Sequence, residues 1–462
     1  MADEYALHAL SPLDGRYQTN VEELSQHFSE FSLIKYRQEV ELEYWNVLLR
    51  TIVPTKMPDE GTAVQHNATE IFNFTLSDAL NVKTVEKTLR HDVKAVEQYV
   101  KTQLLDYGFV ESEVEFVHFG LTSHDINSLA LNMQMRGGIR CITEHYTTFL
   151  HKLIKLGEDY ANIPMLARTH GQPATPVTLG TQFSVYANRL RIQLDTFKSI
   201  TQILPVKFGG ATGGMNAHYV AYPNIDWQQF VETFLTKLQF ARSYPTTQVE
   251  YFDKWSEIFD CMRRINGILL DYAKDIWLYI SYGYLSQANV TNEIGSSTMP
   301  HKINPIHFEN AEGNLLFANV ILQFFSQQFQ QSRMQRDLVN STLWRNVGVA
   351  FGHTLLGIKN LQEGTTRITP NFTGLTKDLD SHYEVLSEPM QILLKSVGEM
   401  NAYDTVKEQF RGVGALSKEQ WLKIVDALKC THTGVTKILR ELTPSSYALL
   451  GHHVNHVHIK KI

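Results

Sequence analysis

Gly295-Ser296-Ser297-Thr298-Met299-Pro300-His301-Lys302-Ile303-Asn304-Pro305 joins a run of small residues to a turn bounded by two prolines. Glycine and serine let the first half change shape at little steric cost. Pro300 and Pro305 fix φ on either side of His301, Lys302 and Asn304, side chains unsuited to an apolar core. A Gly-Ser run is ordinarily a solvated linker. Here it enters a Met-Pro-His-Lys turn and then a long uncharged stretch, which fits a loop that moves and then holds polar groups in place.

The stretch from Gly313 to Ser332 has no charged residue, yet it is no membrane span. Asn314, Asn319, Gln323, Gln327 and Gln331 recur at roughly helical spacing. That many amides are unfavourable in hydrocarbon but hydrogen-bond readily between packed helices. The pattern predicts a helix buried on nearly all sides, and so uncharged a surface suits a large subunit interface. Thr175-Pro176 reads as an N-cap with proline at the first helical position, opening a helix through Phe183, Val185, Tyr186, Leu190 and Ile192. Thr122 or Ser123 caps another long helix, with Asp125 at the positive end of its dipole. Long alternating β-branched strands are scarce. The expected fold is all-α, with an N-terminal helical domain over 1–111, a central bundle of long helices over 112–364 and a smaller helical domain over 365–462, starting near Thr369-Pro370.

With 462 residues, 43% hydrophobic and 19% charged, the chain can bury a large core. Its 42 Lys+Arg against 48 Asp+Glu leave −6, which argues against a general binder of nucleic acid or acidic membranes. An anionic substrate must then meet a local basic cleft. Cys141, Cys261 and Cys430 are scattered and lack Cys-x-x-Cys spacing, so neither a disulfide framework nor a zinc site is expected. A reducing cytoplasm is the simplest home, and Met-Ala-Asp-Glu does not read as the start of a signal peptide. His452, His453, His456 and His458 lack cysteine or acidic companions at ligand spacing, and no metal requirement is expected. Gly209-Gly210-Ala211-Thr212-Gly213-Gly214 is followed by no Gly-Lys-Ser/Thr and reads as a flexible turn beside the active site rather than a nucleotide loop. No cofactor is implied.

The Gly295 to Pro305 segment resembles the signature loop of the fumarase/aspartase superfamily, Gly-Ser-Ser-x-Met-Pro-x-Lys-x-Asn-Pro, at every fixed position. His301 shifts the resemblance toward the adenylosuccinate lyase branch. So do Ser11-Pro12-Leu13-Asp14-Gly15-Arg16-Tyr17, His91-Asp92-Val93, Thr122-Ser123, Arg168-Thr169-His170-Gly171-Gln172, Thr246-Thr247-Gln248 and Arg333-Met334-Gln335-Arg336-Asp337. These segments run along most of the chain. The resemblance implies a homotetramer whose four central bundles pack into one core, with each active site built from three chains.

Eliminating fumarate from a succinyl-amine needs a base for the proton beside the carboxylate, a cation for the resulting aci-carboxylate and an acid for the departing nitrogen. The resemblance assigns the base to Ser296 and the acid to His170. Histidine suits the second task because its unperturbed pKa lies near the working pH. A serine hydroxyl has to be made more acidic, and Lys302, six residues on, supplies positive charge for that and for the aci-carboxylate. Alone, His170 would be a hydrogen-bonded structural histidine; Arg168, Thr169 and Gln172 around it reverse that weighting.

The implied substrates are adenylosuccinate and the succinyl-carboxamide ribotide of the earlier purine pathway. By resemblance Arg16, Tyr17, Arg336 and the segment Ser341-Thr342-Leu343-Trp344-Arg345 hold the nucleotide and phosphate end. Thr122, Ser123, Gln248, Ser297, Lys302, Ile303, Asn304 and Asn310 face the succinyl group and reacting centre. Arg90, His91 and Asp92 meet the substrate, His91 also orienting the acid; Arg90 stands where some bacterial relatives have asparagine. Three other readings stay open: a sister lyase using the same base, a cycloisomerase sharing Met-Pro-His-Lys, and a non-catalytic structural protein, which loss of the acid or base would have indicated.

Overall fold

Helical spacing in the sequence becomes helix along most of the computed structural model, which describes residues 2–52, 73–288, 298–428 and 432–451. The described residues are all-α apart from three two-stranded sheets. They divide into two compact units: Met1–His145, Asp195–Asn266 and Asn314–Leu356 form the first, and Tyr146–Leu194, Gly267–Gly313 and Gly357–Ile462 the second. The boundaries fall inside the helices Ser123–Asp159, Leu179–Ile200, Asp253–Ser281, Ile306–Gln328 and Val347–Thr366, so each contributes residues to both units. No described helix is long and apolar enough to cross a membrane.

In the first unit the helices Glu30–Ile52, Leu76–Leu89 and Asp92–Asp106 share one core containing Ile34, Trp45, Val82, Val96, Val100 and Leu104. Their ends are set by capping. Thr75 accepts from Asp78 N while Asp78 Oδ2 accepts from Thr75 N at 2.7 Å, which satisfies two otherwise unpaired donors. A second core brings aromatic rings of the Asp253–Ser281 helix onto the Ile306–Gln328 helix and the residues just after it. Trp255 lies 5.8 Å from Phe329 and Phe259 lies 5.9 Å from Phe325, between ring centroids. Each buried ring is worth roughly 1.5–3 kcal/mol.

Three of the five amides of the uncharged stretch pair as their spacing predicts. Asn314 Oδ1 lies 2.8 Å from His353 Nδ1, Asn319 Oδ1 accepts from Asn266 at 3.1 Å, and Gln323 Oε1 accepts from Arg263 at 3.3 Å. Burial on nearly all sides, however, is not found within one chain. Leu315, Ala318, Leu322 and Phe325 face the core, whereas Leu316, Phe317, Val320 and Phe324 are 47%, 52%, 68% and 46% exposed. Its neighbours in the chain cover one face of this stretch and leave the other bare.

In the second unit the strands Pro164–Thr169 and Gln172–Thr178 form an antiparallel hairpin. The helix start read at Thr175-Pro176 is therefore corrected: both residues are in the second strand, and the helix begins at Leu179. The φ fixed by proline suits an edge strand as well as a first helical turn, and pairing with Pro164–Thr169 decides between them. Thr178 supplies the cap instead, its Oγ1 accepting from Thr181 N at 3.2 Å. Residues Tyr383 to Leu439 contribute a separate core around Trp421, whose Nε1 donates to Leu439 O at 3.1 Å.

Candidate active site

Two helices of the first unit meet at Arg90-His91. Arg90 closes the Leu76–Leu89 helix with left-handed backbone at φ 56, and His91 caps the Asp92–Asp106 helix by accepting Lys94 N on Nδ1 at 3.1 Å. The ring proton therefore resides on Nε2. Asp92 is next in line, with Oδ1 accepting from Val93 N at 2.9 Å. Its Oδ2 accepts from Arg37 at 2.8 Å and from Arg345 at 2.7 Å. Burial pushes this carboxyl up, but the two guanidiniums outweigh it and hold Asp92 down at about 2. Arg345 reaches Glu30 as well, at 3.1 Å.

A second assembly is organised by Asp125, fully buried in the first turn of the Ser123–Asp159 helix. Its Oδ2 accepts from Thr122 N at 2.8 Å and Thr122 Oγ1 at 3.0 Å; its Oδ1 accepts from Lys207 Nζ at 2.7 Å, Gly209 N at 2.8 Å and Gly210 N at 3.2 Å. Lys207, also fully buried, gives a second bond to Gly210 O. The start of the glycine run is thus pinned rather than flexible. Its small residues serve close approach, since a Cβ on Gly209 would meet Gly213 O at 2.4 Å. Beyond it, Ala211 O accepts from Gln248 Nε2 at 2.9 Å, and Gln248 Oε1 accepts from Arg336 at 3.0 Å.

Replacing Asp125 with alanine strands the Lys207 ammonium in a dry interior. The expected outcome is a loss of about 3–5 kcal/mol in unfolding free energy, read from denaturant melts; an unchanged midpoint contradicts this account.

Next to Asp125, His124 is held down at about 3 by burial and the charges of Lys207 and Arg336. It is neutral, and its Nε2 accepts from Glu250 N at 3.0 Å. Trp344 packs against it at 5.9 Å between ring centroids. Ser123 begins the helix, half-buried. Ser341 Oγ donates to Leu338 O at 2.6 Å; Thr342 is exposed and Leu343 half-buried. The Arg16 guanidinium lies 5.8 Å from the centre of the Tyr17 ring.

In the second unit His170 and Gly171 make the two-residue turn of the hairpin, at φ 51 and 72. Positive φ at both positions matches the right-handed twist of the flanking strands and sets the His170 side chain, exposed in this chain, at the tip. Arg168 anchors the strand behind it. Its guanidinium donates to Asp378 at 2.8 Å and to Tyr284 Oη, and stacks 4.5 Å from the Tyr282 ring centre. The described part of the signature segment begins at Thr298. Lys302 is exposed, Gln287 Nε2 donates to Ile303 O at 2.8 Å, and Asn304 O accepts from Ile306 N at 2.9 Å as the helix starts. Asn310 is half-buried on that helix. Ser296 and Ser297 lie outside the described residues, as do Cys430 and the four C-terminal histidines.

The structure thus joins Asp92 to Arg345, Gln248 to Arg336 and Thr122 to Asp125. Sequence reading missed three residues that hold them: Arg37, Lys207 and, in this role, Asp125. Asp125 stands three residues after a hydroxyl, as capping residues do, and that signal was available. Nothing local marks Arg37 or Lys207.

Solved structures with this architecture include a 3-carboxy-cis,cis-muconate lactonizing enzyme from Pseudomonas putida. It has a TM-score of 0.76 and 18% identity, with 95% of this chain and 96% of that one covered. A fumarate lyase from Mesorhizobium sp. BNC1 gives a TM-score of 0.75 at 17% identity, covering 95% and 97%. At that identity the likeness defines the fold. The family described as Lyase matches residues 15–322, and the family described as adenylosuccinate lyase C-terminal matches residues 332–448. Adenylosuccinate lyases of Legionella pneumophila (strain Corby) and Dictyostelium discoideum are each 40% identical, over 96% of this chain and 97% and 96% of theirs. That of Escherichia coli (strain K12) is 37% identical over 96% of both. The chain belongs to the adenylosuccinate lyase family.

Proposed function

We propose that this lyase eliminates fumarate from adenylosuccinate, leaving AMP, and from the succinyl-carboxamide ribotide (SAICAR), leaving AICAR, with the side chains assigned above in their roles. The observation that carries the reading is similarity to adenylosuccinate lyases along 96% of the chain, at 40% identity. One site serves both substrates because they share the succinyl-amine and the ribose phosphate. Purified protein mixed with either compound is expected to release fumarate, followed by the change in ultraviolet absorbance. Release of fumarate from argininosuccinate, with neither purine substrate consumed, overturns the assignment.

In this reading Ser296 removes the proton beside the succinyl carboxylate, Lys302 stabilises the aci-carboxylate, and His170 protonates the departing nitrogen. Arg336 and Arg345, with Arg16, Tyr17 and Ser341, take the phosphate and nucleotide. The Gln248–Arg336 bond, at 3.0 Å, supports a common surface for the succinyl and nucleotide ends.

The assembly we infer is a homotetramer in which three chains build each site. The bare face of Leu316, Phe317, Val320 and Phe324 supports it, as does an acid carried at the exposed tip of a hairpin. We infer a domain partition of 1–111, 112–364 and 365–462; the core around Trp421 lies wholly within the last, whereas the core around Trp45 runs on to Val114 and Val117. The compartment is the cytoplasm, in keeping with cysteines that are few, scattered and, at Cys141 and Cys261, buried.

A further inference from the structure

We propose that Arg37 is a positioning residue for anion binding: by sharing the carboxylate of Asp92 it keeps that carboxylate from cancelling the positive charge that Arg345 offers the substrate phosphate. The inference rests on the reading of Arg345 as a phosphate contact. Arg37 lies on the Glu30–Ile52 helix and is 1% exposed, so it cannot touch solvent ligands itself. Its Nε donates to Asn127 Oδ1 at 2.8 Å, and its NH2 donates to Asp92 Oδ2 at 2.8 Å. Asn127 is buried too, which fixes the guanidinium from behind. The same Asp92 oxygen accepts from Arg345 at 2.7 Å.

Charge decides what this sharing does. Two guanidiniums on one carboxylate leave one net positive charge, and Arg345, the more exposed of the two, presents it. Without Arg37, Asp92 and Arg345 form a neutral pair. An incoming phosphate then has to displace the carboxylate or bind beside it, and like charges at contact repel. Arg345 also meets Glu30 at 3.1 Å, but that carboxylate is 43% exposed, so water screens its hold; Lys83, 3.3 Å from Glu30, is itself paired with Glu86 at 2.6 Å and adds little.

Stability is a poor reason for an arginine here. Arg37 NH1 is buried without a hydrogen-bond partner among the described residues. An apolar side chain of similar volume in such a place is often neutral or stabilising, provided the partner charge is removed as well. The ionic arrangement therefore serves what Asp92 and Arg345 do.

The test compares Arg37→Gln, the double variant Arg37→Gln/Asp92→Asn, and Arg345→Met in the full-length protein. AMP and inorganic phosphate are the calorimetric probes, read beside kcat and KM for adenylosuccinate and a thermal melt. Arg37→Gln is expected to weaken AMP and phosphate at least ~10-fold and to raise KM with a much smaller change in kcat. The double variant is expected to regain most of that affinity, because removing the carboxylate charge frees Arg345 again. A purely structural role for Arg37 gives no such recovery, and equal weakening in single and double variants overturns the proposal. So does unchanged AMP affinity in Arg37→Gln when Arg345→Met has lost it, which leaves the phosphate reading standing. If Arg345→Met keeps full AMP affinity, the phosphate reading and this inference both fall.

Discussion

Ser296→Ala protein is expected to bind adenylosuccinate almost as tightly as the parent and to turn it over at least ~10²-fold more slowly, since the step lost in the proposed mechanism is proton removal at carbon. Replacement of His170 is expected to cost a similar factor by removing the proposed proton donor to the leaving nitrogen. Asparagine is the informative substituent there. Residue 170 has φ 51, a conformation asparagine tolerates and alanine resists, so His170→Asn removes the acid while sparing the turn. Ser297→Ala is expected to do less harm. Single-turnover rates and calorimetric affinity separate chemistry from binding. An inactive Ser297→Ala beside an active Ser296→Ala reverses the order of the pair.

Mixing the two inactive proteins is expected to restore activity. If His170 and Ser296 of one site come from different chains, tetramers dissociated and reassembled from equal amounts of His170→Asn and Ser296→Ala contain sites that draw the intact residue from each parent. Each of two independent chains has an even chance of supplying it, so roughly a quarter of the sites are whole and activity returns to about that fraction. Neither parent alone can do this. Mixed tetramers verified by mass but devoid of activity mean that one chain carries both residues of its site.

Much of the fold was legible because helical periodicity and capping are local. The amides of the uncharged helix announced partners on neighbouring helices, and Asn314, Asn319 and Gln323 found them in His353, Asn266 and Arg263. Thr175-Pro176 misled because proline's fixed φ suits a strand edge as well as a helix start, and the strand it pairs with lies outside any short window. The site divided along the same line. Residues in signature segments stood out singly, but the bonds that hold them span the chain: Lys207 meets Asp125 across 82 positions, and Arg37 meets Asp92 across 55. An arginine in a helix or a lysine before a glycine run is ordinary until the fold supplies its carboxylate.

If the bare face of Leu316, Phe317, Val320 and Phe324 is covered in the proposed tetramer, abundance becomes a property of the catalyst. A face that is half in water until another surface covers it obeys mass action, so the fraction of chains in complete assemblies grows with the number of chains present. Synthesis rate, dilution on cell division and loss of newly made single chains to proteases then act on the reaction as directly as a change in a substrate-binding side chain. A mild substitution on that face, which holds none of the residues assigned to chemistry or to phosphate binding, is felt most where the protein is scarce.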